Sequence, residues 1–127
     1  MKQFFLVGLC LVGFNAFAQD VWVAPEESKE VLNPYQGNQI AAQKGGMLFQ
    51  KLCWTCHGKT GLGDGPAGKT LNPKPRNFTL KSVQDQSDGE LFWKISKGKG
   101  MMVPYKHSLS EEQRWQLVNF IRTFKNS

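Results

Sequence analysis

Two stretches of the chain place apolar residues at a helical period. In residues 39–55 they recur about every 3.6 residues, despite the Gly45-Gly46 pair, and predict a first helix. Residues 88–97 predict a second, shorter helix with Asp88 as its N-cap residue. The apolar positions are Ile40, Met47, Leu48 and Leu52 in the first helix, and Leu91, Phe92 and Ile95 in the second.

A third helix is indicated by its first residues. Ser110 and Gln113 form a capping box, and Glu111 and Glu112 place acidic side chains in the first turn. The apolar positions that follow are Trp115, Leu117, Val118, Phe120, Ile121 and Phe124. No stretch alternates as a β-strand does, and the Gly- and Pro-rich residues 57–78 and residues 98–109 predict loops. The pattern therefore predicts an all-α fold of three to five helices, with long loops that a function or a cofactor orders.

The first residues predict a secretory signal peptide. Lys2 is followed by an apolar stretch, residues 4–14, which is too short to span a bilayer, and then by the small-residue site Ala16-Phe17-Ala18. Cleavage after Ala18 would remove residues 1–18. The alternatives are a retained membrane anchor and a lipoprotein acylated on Cys10. We expect a soluble protein in the periplasm or another extracytoplasmic space, with no membrane span after cleavage.

The composition is typical of one globular domain, and not of a disordered chain. The 127 residues are 40% hydrophobic and 20% charged, with a net charge of +6. Residues 19–38 hold two Pro and few periodic apolar positions, so they predict an extended N-terminal arm, packed by Trp22 and Tyr35. Residues 39–127 are the predicted domain.

The chemistry of the chain concentrates in Cys53-Trp54-Thr55-Cys56-His57, a C-x-x-C-H motif. Cys53 and Cys56 are about one helical turn apart, so both sulfur atoms can bond the vinyl groups of one haem, and His57 can ligate its iron. A thioredoxin-like redox pair would need a βαβ context, and a structural zinc site would need four ligands. A plain disulfide would leave His57 unexplained. The motif predicts one covalently attached haem c per chain.

Three residues after the motif could complete the coordination of the iron. Met101 and Met102 lie in a Gly-rich loop between two predicted helices, where a thioether can face the haem. His107 would instead give a bis-His haem, and is otherwise a surface residue. These alternatives stay open on the residues alone.

Residues 40–124 resemble a class I c-type cytochrome, of the bacterial monohaem kind. The matching segments are Gly45-x-x-x-Phe49 leading into Cys53-x-x-Cys56-His57-Gly58, the segment 61–78 with Pro73-x-Pro75-Arg76-x-Phe78, and the methionine loop followed by residues 109–122. The arm, with Trp22-Val23-x-Pro25 and Asn33-Pro34, is similar to the same subgroup. The resemblance implies a small cytochrome c domain in residues 39–127, wrapped around the haem.

The resemblance implies His/Met ligation of the iron, by His57 and Met102. Tyr105 matches the aromatic residue that usually follows the ligand Met by three positions. Val103 stands where the family usually has Pro, so Met101 remains an alternative ligand.

Other residue roles are also implied by the resemblance. The first and last helices should cross at Gly45, with Phe49 meeting an aromatic residue such as Phe120. Arg76 is a candidate to bind a haem propionate, and Trp93 a candidate to pack on the haem edge. The carbonyl of Pro66 or Pro73 should orient the ligand histidine.

The function implied is one-electron transfer, with no enzymatic step. The alternatives are a haem enzyme of peroxidase or reductase type with an open iron site, and a cytochrome subunit of a dehydrogenase or oxidase complex. Lysines around the methionine loop predict docking to an acidic patch on a redox partner protein, whereas nucleic acid is a poor partner outside the cytoplasm. These lysines are Lys94, Lys97, Lys99 and Lys106.

Overall fold

The computed structural model describes residues 21–126, which form five α-helices and no β-strand. The helices are α1 (Gln39–Leu52), α2 (Trp54–His57), α3 (Lys81–Gln84), α4 (Asp88–Lys97) and α5 (Glu111–Arg122). Short 3-10 helices cover Glu26–Glu30, Pro66–Gly68 and Thr123–Asn126. The all-α prediction is confirmed. The predicted signal peptide, with Cys10, lies outside the described residues, and none of the helices within them is long and apolar enough to cross a membrane.

The predicted range of α4, residues 88–97, is confirmed, but the predicted N-cap residue is wrong by one position. Ser87, not Asp88, is the N-cap: its Oγ accepts from the Glu90 N–H at 3.2 Å, and the Glu90 carboxylate accepts from the Ser87 N–H at 2.7 Å. Both residue types can cap a helix, but only Ser87 has a Glu three residues later to complete a capping box. The carboxylate of Asp88 therefore pairs with Arg122, 2.7 Å away. At α5, the predicted capping box of Ser110 and Gln113 is confirmed.

Helices α1 and α5 cross where a glycine removes a side chain. A Cβ on Gly45 would lie 1.9 Å from the Gln116 carbonyl oxygen, so the two backbones can come this close only with Gly at that position. Beside the crossing, the Phe49 ring lies 5.1 Å from the Phe120 ring and 5.6 Å from the Phe124 ring, centroid to centroid. The expected crossing and the expected Phe49–Phe120 contact are both present.

The predicted N-terminal arm is neither fully extended nor loose. It contains the 3-10 helix Glu26–Glu30, whose Ser28 carbonyl oxygen would be only 1.9 Å from a Cβ on Gly89 of α4. Further towards the N-terminus, Trp22 contacts Trp93, with the ring centroids 6.3 Å apart. The arm therefore packs directly on α4. The division of the chain at residues 38 and 39 stays a prediction.

A buried polar network holds the end of the arm. The Asn33 side-chain amide donates to Asp88 Oδ2 at 2.9 Å and to Asn119 Oδ1 at 2.7 Å. The Asn119 amide donates in turn to the Tyr35 carbonyl at 2.5 Å. Asn33 and Asn119 are both buried, and these bonds supply the partners that buried amides need. The two bonds of the Asn33 amide join residues that lie 55 and 86 positions apart in the chain.

Candidate functional site

The C-x-x-C-H motif occupies a break between two helices. α1 ends at Leu52, Cys53 adopts φ −117° and ψ −32°, and α2 begins at the next residue. The N–H groups of Cys56 and His57 both donate to the Cys53 carbonyl, at 3.2 and 2.9 Å. One tight turn therefore carries all three predicted attachment residues, and both cysteines are half-buried free thiols.

The environment of Cys53 does not suit a reactive thiolate. Burial, with a smaller contribution from Cys56, raises the pKa of the Cys53 thiol to about 12. A thioredoxin-like cysteine needs the opposite shift, because the thiolate is its nucleophile. The redox-pair alternative is therefore disfavoured by the local electrostatics as well as by the lack of strands in residues 21–126.

His57 is held as a neutral ring with one nitrogen free. Its Nδ1 lies 3.1 Å from the Arg76 carbonyl oxygen; since a carbonyl only accepts, Nδ1 carries the proton and Nε2 keeps its lone pair. Burial lowers the pKa of His57, against a smaller opposing effect of that hydrogen bond. The ring also stacks on Phe78, with centroids 4.4 Å apart and planes 18° apart. A neutral, oriented imidazole is the form that binds metals.

The carbonyl that orients His57 belongs to Arg76, so the expectation of Pro66 or Pro73 is wrong. The Phe78 N–H donates to the Gly61 carbonyl at 2.7 Å. This bond ties the chain two residues after Arg76 to Gly61, four residues after the end of α2, and the Arg76 carbonyl contacts the imidazole. The sequence signal was present in the segment that ends at Phe78, but no local pattern indicates which carbonyl in it faces the ring.

One narrow cavity joins the motif to the rest of the core. Its lining residues are apolar apart from Cys53, His57 and Tyr105. The lining residues are Phe49, Cys53, His57, Phe78, Ile95, Met102, Tyr105, Leu117 and Ile121. Cys56 is on the same turn but is not among them. A wider, open depression between α1 and Phe120 contains neither Cys nor His, so it offers no comparable ligand set.

In the loop of residues 98–109, here called the methionine loop, Met101 and Met102 differ in their exposure to solvent. The Lys99 and Met102 backbones exchange two hydrogen bonds of 3.0 Å, with Gly100 at φ +57° and Met101 at the tip of the resulting turn. Met101 is 76% exposed, whereas Met102 is half-buried and lines the cavity. Among the candidate ligands only Met102 shares a cavity with His57; His107 is exposed.

The remaining candidate residues lie away from the cavity wall. Arg76 is exposed and contributes its backbone carbonyl to His57. Trp93 contacts Trp22 of the arm, and the predicted contact of Trp93 with the haem edge stays a prediction. Phe78 and Tyr105, which the sequence named only as matching positions of the resemblance, also line the cavity.

The donor set fits a haem better than it fits a separate metal ion. One thiol, a free imidazole nitrogen and a thioether line one apolar cavity, and the thiol of Cys56 lies on the same turn as that of Cys53, a donor set that would suit a covalently attached haem. Within residues 21–126, no three His, Cys, Asp or Glu side chains cluster in a way that could hold a separate metal ion. A structural zinc site would need such a cluster.

Comparison with known families agrees with this chemistry. Residues 40–121 match the family described as cytochrome C oxidase, cbb3-type, subunit III. The chain belongs to this family of c-type cytochromes. The cofactor of this cytochrome is accordingly a covalently bound haem c, and its resemblance to class I c-type cytochromes is confirmed. No curated protein matched the chain.

Solved structures of similar fold include other cytochromes. The c-type cytochrome KustC0563 is 32% identical, with a TM-score of 0.55 over 65% of this chain and 98% of that one. Cytochrome cL from the marine methylotrophic bacterium Methylophaga aminisulfidivorans is 26% identical, with a TM-score of 0.52 over 79% of this chain and 68% of that one.

A larger relative shows the fold alone. A chain of the Kuenenia stuttgartiensis reducing HAO-like protein complex Kustc0457/Kustc0458 is 24% identical, with a TM-score of 0.64 over 74% of this cytochrome. This cytochrome spans 49% of that chain, about half its length.

Proposed function

We propose that this protein is an extracytoplasmic one-electron carrier, with haem c attached through Cys53 and Cys56 and its iron ligated by His57 and Met102. The observation that carries the proposal is that Cys53, His57 and Met102 line one apolar cavity. When bound, the haem supplies the ferric–ferrous couple, and the chain supplies attachment, ligation and exclusion of water.

His57 contributes a ligand of fixed orientation. The hydrogen bond from Nδ1 to the Arg76 carbonyl and the stacking on Phe78 hold the ring from two sides. A hydrogen bond of this kind also makes the other ring nitrogen a better electron donor. The ligand is therefore in place in both oxidation states, which keeps reorganisation small.

Met102 and the cavity wall favour the reduced state. A thioether is a soft, neutral ligand, and Met/His ligation raises the reduction potential of a haem. No carboxylate lines the cavity, so nothing in its wall compensates the additional positive charge of the oxidised state.

A haem enzyme is the weaker alternative. It needs an open iron position and a polar group beside it, whereas the residue facing this cavity from the loop is Met102 and the walls are mostly apolar. Tyr105 is the one lining residue with a hydroxyl, and that hydroxyl donates to the Leu52 carbonyl at 3.3 Å. Service as a subunit of a dehydrogenase or oxidase complex is a variant of the carrier proposal, and the half-length match to a chain of the HAO-like complex is consistent with it.

The charge distribution supports an acidic redox partner, but it favours a docking surface other than the lysines around the methionine loop. Residues 44–81 contain seven basic residues, all exposed, and one acidic residue, whereas the other described residues contain eight of each. The lysine ring predicted around the methionine loop is weaker than expected, because Lys94 is half-buried, donates to Gln86 at 2.5 Å and lies 5.6 Å above the Trp22 ring. We therefore assign the docking charge to residues 44–81, from within α1 to the first residue of α3. Electron transfer with the anionic reagent hexacyanoferrate should slow steeply as salt is added, and a flat dependence would remove this part of the proposal.

The test of the carrier function is a redox titration followed by visible spectroscopy. We expect one reversible one-electron transition and a ferrous protein that does not bind carbon monoxide at native conditions. Rapid binding of carbon monoxide would show an open iron position and would favour the enzyme alternative.

A further inference from the structure

The loop that carries Met102 is fastened to α4 just after the methionine. The Tyr105 N–H donates to the Ile95 carbonyl at 3.1 Å, and the Lys106 N–H donates to the Ser96 carbonyl at 3.2 Å. The Tyr105 carbonyl accepts from the Leu109 N–H at 3.0 Å. The backbone at Tyr105 is therefore fixed, and its side chain leaves the loop from a defined point.

The side chain of Tyr105 reaches the opposite side of the site. Its ring lines the cavity together with Cys53 and Met102, and its hydroxyl donates to the Leu52 carbonyl, 53 positions earlier in the chain, at 3.3 Å. Leu52 is the last residue of α1 and directly precedes Cys53. One side chain thus connects the loop of the proposed sixth ligand to the segment that attaches the haem.

The Leu52 carbonyl can accept this bond because the helix breaks there. In a continuous helix the carbonyl of Leu52 would accept from the N–H of Cys56. That N–H donates to the Cys53 carbonyl instead, at 3.2 Å. The break that forms the C-x-x-C-H turn thereby leaves a helix-end carbonyl directed at a partner outside the helix.

We propose that Tyr105 is a positioning residue whose hydroxyl latches the Met102 loop to the end of α1 and so holds the thioether at the cavity. This rests on the proposed ligation by Met102. Moving Tyr105 with the loop breaks the hydroxyl–carbonyl bond, because the phenol oxygen is rigidly attached to the ring and moves with it. The hydroxyl therefore acts on the opening equilibrium, and the ring acts on core packing.

The replacement Tyr105→Phe separates the two parts, because it removes the hydroxyl and keeps the ring. Tyr35→Phe is the matched control. The Tyr35 backbone carbonyl accepts from the Asn119 amide and the Tyr35 backbone N–H donates to Asn33 Oδ1, so both hydrogen bonds survive the change. The measurement is the binding of imidazole to the ferric protein at fixed pH, followed by loss of the near-red absorption of the iron–methionine bond. Imidazole can bind only when Met102 has left the iron.

The expected result is imidazole binding about two- to fivefold tighter in Tyr105→Phe, because one hydrogen bond of ordinary net strength opposes opening. The bond length of 3.3 Å, long for a hydroxyl donor, argues for the lower part of that range. Tyr35→Phe should bind imidazole as the unchanged protein does.

Two outcomes overturn the proposal and are distinguishable. If Tyr105→Phe lowers the urea midpoint of global unfolding but leaves imidazole binding unchanged, the hydroxyl serves only overall stability. If the unchanged ferric protein has no near-red absorption, the ligation by Met102 itself fails, and the latch fails with it.

Discussion

Replacing Gly45 by Ala tests whether the crossing of α1 and α5 depends on backbone contact. The added Cβ would lie 1.9 Å from the Gln116 carbonyl oxygen and 2.5 Å from its carbonyl carbon, whereas ordinary contact begins at 3.4 Å. The obstructing atoms belong to the α5 backbone, so no side-chain rotation relieves the overlap. One helix must therefore retreat by roughly the 1.5 Å that separates these distances.

Two effects of opposite sign set the magnitude. Overpacking of a core typically costs about 1–3 kcal/mol, and a clash with backbone belongs at the upper end of that range. Replacing Gly by Ala inside a helix gains about 1 kcal/mol. The net expectation is a free energy of unfolding lower by about 1–2 kcal/mol.

Gly46→Ala is the matched control, since it makes the same chemical change one residue later in the same helix. Its Cβ would meet only the edge of the Phe120 ring, at 3.0 and 3.1 Å, and a side chain can move by a few tenths of an ångström. The helix-propensity gain should then dominate, leaving stability unchanged or higher by up to about 1 kcal/mol. Urea unfolding of the ferric protein measures both variants, and equal free energies of unfolding for the two would refute the backbone-contact explanation.

Three further predictions concern the arm, its network and the attachment. Gly89→Ala should displace the arm from α4, because its Cβ would lie 1.9 Å from the Ser28 carbonyl oxygen; limited proteolysis should then cut residues 21–38 faster, with an unchanged haem spectrum. Asp88→Asn should lower the free energy of unfolding by roughly 1.5–3 kcal/mol, because the half-buried Arg122 loses its charged partner. A smaller decrease, below about 0.5 kcal/mol, would mean that solvent screens the pair. Cys56→Ala should leave one thioether bond, visible as a shifted band of the reduced haem in pyridine, and an unshifted band would exclude Cys56 from attachment.

The sequence predicts the parts of this fold that depend on local periodicity and capping. α1, α4 and α5 follow from apolar spacing. The capping box at Ser110 predicts the first residue of α5, Glu111, without error. α3 has only four residues, too few for a period to show. The error at Asp88 arose because capping preference alone does not distinguish adjacent Ser and Asp residues; the Glu three residues later does.

The parts that could not be predicted depend on contacts between distant residues. The docking of the arm needs Gly89 to face Ser28, and no pattern within either segment indicates that pairing. The carbonyl that orients His57 is set by how a Gly- and Pro-rich loop folds back on itself. The latch of Tyr105 depends on a helix break 53 positions away.

At the candidate site, the motif and the methionine loop are readable from the sequence, and the resemblance favours Met102, but the residues alone leave the choice between adjacent methionines open. Adjacent residues lie on opposite sides of an extended backbone, and here the turn closed by Gly100 determines which side faces the cavity. The exposure of Met101 follows from the same turn.

The most direct test of the account is the near-red absorption of the ferric protein in Met101→Ala and Met102→Ala. We predict that the band is present in the unchanged protein, persists in Met101→Ala and is lost in Met102→Ala, because only Met102 shares a cavity with His57. Loss of the band in Met101→Ala with retention in Met102→Ala would contradict the ligand assignment. Absence of the band from the unchanged protein would contradict His/Met ligation altogether.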